Sequence, residues 1–259
     1  LEALARFGAQ PGPLSPFSIR IAAPGHDTRN ANVEAEPAHG RGWYEVQDSA
    51  SQVAALLSGV KLGETVADIC AGAGGKTLAL AAMMNNQGQL IAHDTDRFRL
   101  RPIFERLTRA GVSNVEVLAA AEGGKLAPQS FDCVVIDAPC SGSGAWRRKP
   151  DAKWRLTDKQ LQQRLKDQAQ VLEKGFTLVK PGGRLVYITC SVLAQENTDQ
   201  VEAFLSRHRD CKVIPYKEQW EASIGGIPPV SADGREDSLL LTPARHDTDG
   251  FFVTVMRRA

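Results

Sequence analysis

Residues 65–84, "TVADICAGAGGKTLALAAMM", decide the fold. Thr65 to Cys70 is a short apolar run and reads as a buried strand. Lys76 to Met84 is apolar with helical length and reads as a helix. Between them lie Gly72, Gly74 and Gly75. A strand that passes through a glycine turn into a helix is the opening unit of a sheet that binds a nucleotide at its carboxyl edge.

The alternation continues outward. "QLIAHD" (89–94), "NVEVLA" (114–119), "FDCVVIDAP" (131–139) and "GRLVYITCS" (183–191) read as further strands. "DRFRLRPIFERLTRAG" (96–111) reads as a helix that stops at Gly111, with Pro102 confining its regular part to the later residues. Residues 157–179 read as a long helix capped by Thr157, followed by a turn at "KPGG" (180–183). "QENTDQVEAFLSRH" (195–208) is a last helix, and "KVIPY" (212–216) and "GFFVTVMRR" (250–258) are late strands. Strands separated by helical crossovers predict an α/β fold with a doubly wound, mostly parallel sheet. Residues 1–40 are rich in Pro, Gly and Ala, and only "FSIRIAA" (17–23) suggests a strand there. We expect a short N-terminal element over 1–40 and the main domain over 41–259.

Composition excludes several classes. The 259 residues are 42% hydrophobic and 24% charged, which is ordinary for a globular protein with a sizeable core. A net charge of +1 gives no global field, so nucleic-acid binding must come from a local patch. No apolar run reaches the roughly 18 residues of a membrane helix, and no signal peptide is visible. The cysteines at 70, 133, 140, 190 and 211 are odd in number and lack C-x-x-C spacing, which argues against a disulfide framework or a zinc site. A reducing cytoplasm fits best, and no metal is expected.

The glycine turn matches neither standard phosphate loop. A Walker loop needs glycine where Cys70 stands, and a dinucleotide loop needs glycine where Thr77 stands. Asp94 ends the next strand, twenty residues after Gly74, where a carboxylate can accept from both ribose hydroxyls. A loop without a full phosphate cradle, followed by an acidic strand end, suits a nucleoside ligand such as S-adenosylmethionine. Taken alone, the loop is no more than a tight turn.

Two more motifs share that edge of the sheet. "DAPCSGSG" (137–144) follows one strand and "TCS" (189–191) ends the next. If those strands are neighbours, Asp137, Cys140 and Cys190 face one cleft. Small thiols at strand ends are commonly core residues, and we take Cys70, Cys133 and Cys211 as such. Cys140 and Cys190, each beside a serine in a loop, are taken as chemical groups. A thiolate added to carbon 6 of a pyrimidine makes carbon 5 nucleophilic enough to attack a sulfonium methyl. "WRRKPDAKWR" (146–155) follows directly, with five basic residues and two tryptophans. Trp146, Arg147, Arg148, Lys149, Lys153 and Trp154 are the candidate RNA contacts, since cations meet phosphates and aromatic faces stack on unpaired bases. Arg97 to Arg101 reads as a solvated helix face.

Together, these segments resemble the RNA (cytosine-5) methyltransferases of the Sun/RsmB type. The resemblance also runs through "GWYEVQDSASQ" (42–52), "LVKPGGRLVYITCSVLAQEN" (178–197) and "HDTDGFFVTVMRR" (246–258), in the family's order. It implies a class I, Rossmann-like fold with seven strands, the last antiparallel. It implies that Cys190 is the nucleophile, that Cys140 assists release of the adduct, and that Asp137 touches both cofactor and base. It implies a cofactor loop of Cys70, Ala71, Gly72, Ala73, Gly74, Gly75 and Lys76, with Asp94 on the ribose. The implied substrate is RNA, ribosomal in preference to transfer RNA, with residues 1–40 as a truncated RNA-binding region and 41–259 as the catalytic domain. The chain departs from the family at Gly72 and Ala73, where Ala-Pro is usual. It departs again at Ala119 to Ala121, where an acid is usual and Glu122 is the nearest one. Those departures motivate an alternative, an RNA-binding or assembly protein with a degenerate cofactor site. A second alternative keeps the chemistry but makes Cys140 the nucleophile, as in DNA cytosine-5 methyltransferases. A P-loop ATPase ranks last.

Overall fold

The computed structural model describes residues 1–22 and 32–259. Ten strands are present among them: β1 (Gln10–Pro11), β2 (Ile19–Arg20), β3 (Thr65–Asp68), β4 (Gln89–His93), β5 (Val115–Leu118), β6 (Phe131–Asp137), β7 (Val179–Thr189), β8 (Cys211–Ile214), β9 (Leu239–Leu241) and β10 (Phe251–Arg258). β1 and β2 form a separate antiparallel pair. The rest form one sheet in the order β5-β4-β3-β6-β7-β10-β8. β3 to β7 are parallel, and β10 inserts antiparallel between β7 and β8. Seven strands thus lie on one path. An eighth, β9, pairs with the first three residues of β10 along the edge that β8 continues.

Alternation along each strand builds two cores. Val66, Leu90, Cys133, Val135, Val186, Ile188, Val253 and Val255 point to one face. There they meet Val53 and Leu57, Leu80 and Met84, and Tyr216 and Trp220. Those residues come from the segments around helices Ser49–Leu56, Gly75–Met83 and Tyr216–Ser223. Ala67, Ile91, Val134, Ile136, Leu185, Tyr187 and Phe252 point to the other face, onto helices Asp158–Leu178 and Thr198–Arg207. A period of two with apolar residues on both faces is what a sheet covered by helices on both sides requires.

Local chemistry sets the element ends. Thr157 and Gln160 form a capping box at the start of the long helix, with side-chain to backbone distances of 3.3 and 3.0 Å. Pro102 divides residues 96–111 into two short helices, Arg97–Leu100 and Ile103–Arg109. The expected turn at "KPGG" is instead a bulge inside β7. Val179 pairs with Phe131 and Arg184 with Cys133, so only Asp132 lies opposite residues 180–183. Pro181 cannot donate to a ladder and Gly182 adopts φ +79°, so the strand bows outward there. Of "FSIRIAA", only Ile19 and Arg20 are strand, and Ala23 lies outside the described residues.

Beside the Cys190 loop, Gly144 is a crowded point of the fold. Its N–H donates to the Cys190 carbonyl at 3.0 Å, and its carbonyl accepts from Gly250 at 2.9 Å. A Cβ on Gly144 would lie 2.0 Å from the Gly250 carbonyl oxygen, which is backbone and cannot swing away. Gly144→Ala therefore lowers stability by about 2 kcal/mol or more. An unchanged midpoint in chemical denaturation would contradict this close approach.

Candidate active site

The glycine turn is shaped by its neighbours. Gly72 and Gly74 adopt φ +51° and +84°. A Cβ at Gly74 would meet Ile103 Cγ1 at 2.4 Å. The Gly72 N–H donates to Asp94 Oδ2 at 2.9 Å, and the Asp96 N–H donates to Asp94 Oδ1 at 2.8 Å. Asp94 is thus buried beneath the loop and fixes its path, with Arg99 3.7 Å away. Ala71 donates to the His93 carbonyl, and Arg106 donates to the Ala73 carbonyl at 2.9 Å. Gln47 and Arg106 are the nearest side chains over Gly75. Burial pushes the Cys70 thiol up, in keeping with a core residue.

Lys76 settles how this loop differs from a phosphate cradle. Its side chain is 6% exposed, and Nζ lies 2.8 Å from Asp137 Oδ2 and 4.9 Å from the Phe251 ring centre. The ammonium is committed inward, so the loop offers no free lysine to a triphosphate. Beneath it, Asp68 is fully buried. Asp68 Oδ2 accepts from Thr77 Oγ1 at 2.8 Å, while Oδ1 makes no well-formed hydrogen bond. Burial pushes the Asp68 carboxyl up to about 7, against the opposing Thr77 bond. A loop with two left-handed glycines, no free lysine and buried carboxylates fits a cationic nucleoside better than a polyphosphate.

β6 and β7 are hydrogen-bonded neighbours, and Asp137 lies level with Ile188. Their loops bring Cys140 Sγ to 3.3 Å from Cys190 Sγ. The Cys140 S–H bond holds the Cys190 thiol below its ordinary value, against burial and Asp137, with help from Lys76. The same bond raises Cys140 well above the ordinary value. Of the two, the Cys190 sulfur is therefore the more readily deprotonated. Asp137, one third exposed, accepts from Lys76, and both charges are felt at the Cys190 sulfur.

The basic stretch is only partly open. Arg147 Nε donates to Asp249 Oδ1 at 2.9 Å, and Arg148 Nε donates to Asp249 Oδ2 at 2.8 Å. Asp249 is itself buried, and Asp48 accepts its N–H at 3.1 Å. Arg147 and Arg148 thus clamp the segment entering β10 while about half of each side chain stays exposed. Trp146 is half-buried, with an indole N–H that has no partner among the described residues. Lys149 is exposed, and Trp154 is 80% exposed with Lys153 Nζ 4.6 Å above its ring. Of the "RFRLR" face, Arg99 turns toward Asp94 and so toward the loop. Glu122 bonds Lys125 at 2.5 Å and the Ala119 N–H at 3.1 Å within its own turn.

Sequence reasoning did not single out Asp68, Thr77, Glu196 or Asp249. All four lie inside the segments quoted for the resemblance, but a buried acid has no signature of its own.

Two measurements follow from this geometry. The folded Asp68 carboxyl titrates near 7, above the unfolded value near 3.8, so the native state binds the extra proton between those values. Stability falls as pH rises from about 4 to about 7, by at most about 1.4 kcal/mol per unit. Asp68→Asn removes this slope from urea titrations, and a slope that survives would assign it to another group. Alkylation by iodoacetamide reads the thiols. Cys190 reacts with a midpoint below the ordinary thiol value, and Cys140→Ala moves that midpoint up. An unmoved midpoint contradicts the S–H donation.

Residues 55–257 match the family model described as 16S rRNA methyltransferase RsmB/F. The chain is 34% identical over 226 residues to the probable ribosomal RNA small subunit methyltransferase B of Synechocystis, covering 86% of this chain and 49% of that one. It is 36% identical over 206 residues to ribosomal RNA small subunit methyltransferase B of Salmonella newport, covering 77% of this chain and 46% of that one. It therefore spans about half the length of these relatives. The crystal structure of PH0851 superposes with a TM-score of 0.86 at 31% identity, over 99% of this chain and 56% of that one. NSun6 from Pyrococcus horikoshii, crystallised with SFG, an analogue of S-adenosylmethionine, gives 0.76 at 26% identity, over 88% and 56%. The chain belongs to the 16S rRNA methyltransferase RsmB/F family.

Proposed function

We propose that residues 41–259 transfer a methyl group from S-adenosylmethionine to carbon 5 of a cytosine in RNA, ribosomal RNA in preference to transfer RNA. The segment 1–40 is the short N-terminal element beside that catalytic domain. The observation that carries the reading is the approach of the Cys140 and Cys190 sulfurs to 3.3 Å, close to the Lys76–Asp137 pair. Family membership and the likeness to NSun6 support the cofactor and the RNA class.

The loop Cys70–Lys76 and Asp94 hold the nucleoside, and Asp137 borders the cofactor and the base. S-adenosylmethionine supplies an electrophilic methyl on a sulfonium. Cys190 Sγ forms a bond to carbon 6, which pushes electron density to carbon 5. Carbon 5 takes the methyl, and its proton then passes to water. That electron pair restores the ring double bond and breaks the bond from carbon 6 to sulfur. The sulfur leaves as a thiolate into the S–H bond of Cys140, which lowers the barrier to release. Trp154, Lys153 and Lys149, with Trp146 and the outer edges of Arg147 and Arg148, offer stacking and phosphate contacts to a base already out of its stack. The lowering of the Cys190 thiol beside the raising of Cys140 favours Cys190 over Cys140 as the nucleophile.

Tritium transfer from labelled S-adenosylmethionine into RNA lacking the modification tests this. Wild type places label in 5-methylcytosine, and Cys190→Ala loses roughly 10³-fold or more. Cys140→Ala accumulates a protein–RNA adduct stable to denaturing gels. An adduct in Cys190→Ala but not in Cys140→Ala would reverse the two roles. Absence of both transfer and calorimetric binding of S-adenosylmethionine would favour the RNA-binding alternative with a degenerate cofactor site, and clear binding would rule that alternative out.

A further inference from the structure

The two loops that carry the thiols are joined by a carboxylate that the mechanism above does not use. Glu196 ends a single 3-10 turn, Ala194–Glu196, six residues after Cys190. It is fully buried. Its Oε1 accepts the Ser141 N–H at 2.7 Å and Gln168 Nε2 at 3.1 Å. Its Oε2 accepts the Ser141 hydroxyl at 2.5 Å. Gln168, from the long helix, also donates to the Pro139 carbonyl at 3.0 Å. Both residues flanking Cys140 are therefore tied to Glu196, one directly and one through Gln168. The Glu196 carbonyl in turn accepts from Tyr187 Oη at 2.7 Å, and Tyr187 lies three residues before Cys190 on β7.

The network has a direction. Tyr187 anchors Glu196 to the strand of Cys190, and Glu196 anchors the loop of Cys140. A buried carboxylate is expensive unless hydrogen bonds satisfy it, and here its partners are neutral donors drawn from the Cys140 side. The cheapest place for the Cys140 loop is the one where Ser141 meets Glu196, and that place sets Cys140 Sγ 3.3 Å from Cys190. A contact between two sulfurs needs such support, since a sulfur donor alone is too weak to order a loop.

From this we infer that Glu196 is a positioning residue for adduct release: it holds the Cys140 thiol against the Cys190 sulfur by bonding Ser141 and, through Gln168, Pro139. The inference about release rests on the proposed function; the inference about placement does not.

The test has one arm for each. Dibromobimane bridges two adjacent thiols and becomes fluorescent, with no RNA or cofactor needed. Wild type forms the Cys140–Cys190 bridge. Glu196→Asp keeps the charge but withdraws the oxygens by about one C–C bond, ~1.5 Å. It slows bridging about tenfold, the factor of one to two hydrogen bonds. Glu196→Gln keeps an oxygen for the Ser141 and Gln168 donors and bridges within about twofold of wild type. Should Glu196→Asp fail to fold by circular dichroism, Ser141→Ala decides, slowing bridging about threefold through loss of its hydroxyl bond to Glu196, along with the one it accepts from the Ser143 N–H. Bridging at the wild-type rate in the folded variants overturns the placement.

The second arm uses methyl transfer. Glu196→Asp lowers kcat about tenfold, leaves KM for RNA within about twofold, and accumulates the adduct as Cys140→Ala does. Glu196→Gln restores release. Loss of kcat without adduct, or loss confined to KM, overturns a role in release. If wild type transfers no methyl, the proposed function fails, and the bridging arm still decides where Cys140 is held.

Discussion

The site exists because β6 and β7 pair in parallel with Asp137 level with Ile188. The Ala138 N–H continues the ladder to the Ile188 carbonyl at 2.8 Å, so both strands stop together. Two loops then leave one edge at one height. Residues fifty apart in the chain meet because parallel strands end on the same side. A register slip of a single residue would reverse which side chains face each core and would part the thiols. The apolar alternation that fills the two cores therefore also aligns the chemistry. Val134, Ile136, Leu185 and Tyr187 pack one face, and Cys133, Val135, Val186 and Ile188 the other.

Charge is concentrated at this edge and is held mostly by neutral donors. Asp94 accepts two backbone N–H groups, and Glu196 accepts from Ser141 and Gln168. Asp68 has Thr77. Ion pairs join Lys76 to Asp137, Arg147 and Arg148 to Asp249, and, at 3.7 Å, Arg99 to Asp94 and Arg147 to Asp48. Replacing such groups by apolar ones of similar size is often neutral or stabilising. Their presence here therefore reads as a requirement of the site rather than of the core, where a fold commonly gives up stability for function.

The strands, the long helix and the shared edge of the two cysteine motifs were legible from periodicity. Apolar alternation and β-branched residues carry that information locally. Pro102 was legible as a breaker for the same reason. The bulge at residues 180–183 was not, because Pro-Gly-Gly marks a bend without saying whether pairing resumes with the same partner. β9 has only three residues, too short for a period, and forms because β10 leaves an edge open beyond β8. The loop glycines were legible. The depth of Asp94 beneath them was not, because its partners are backbone groups with no pattern in sequence. The arginines beside the cysteine loop read as free cations for a related reason: Asp249 lies some hundred residues away.

That distance points to the role of the antiparallel strand. β10 runs opposite to its neighbours, so it enters the sheet at the edge where β6 and β7 end. Its first residues fall among the site loops. Asp249 meets Arg147 and Arg148, Gly250 meets Gly144, and Phe251 lies under Lys76. A parallel strand in the same slot would deliver only its last residues there and would need a crossover to arrive. Reversing one strand lets the end of the chain close the loop that carries Cys140 from the side that Glu196 does not reach. The loop is then bounded by β10 on one flank and by the Glu196 turn on the other, and a mobile "PCSGSG" becomes a fixed arm.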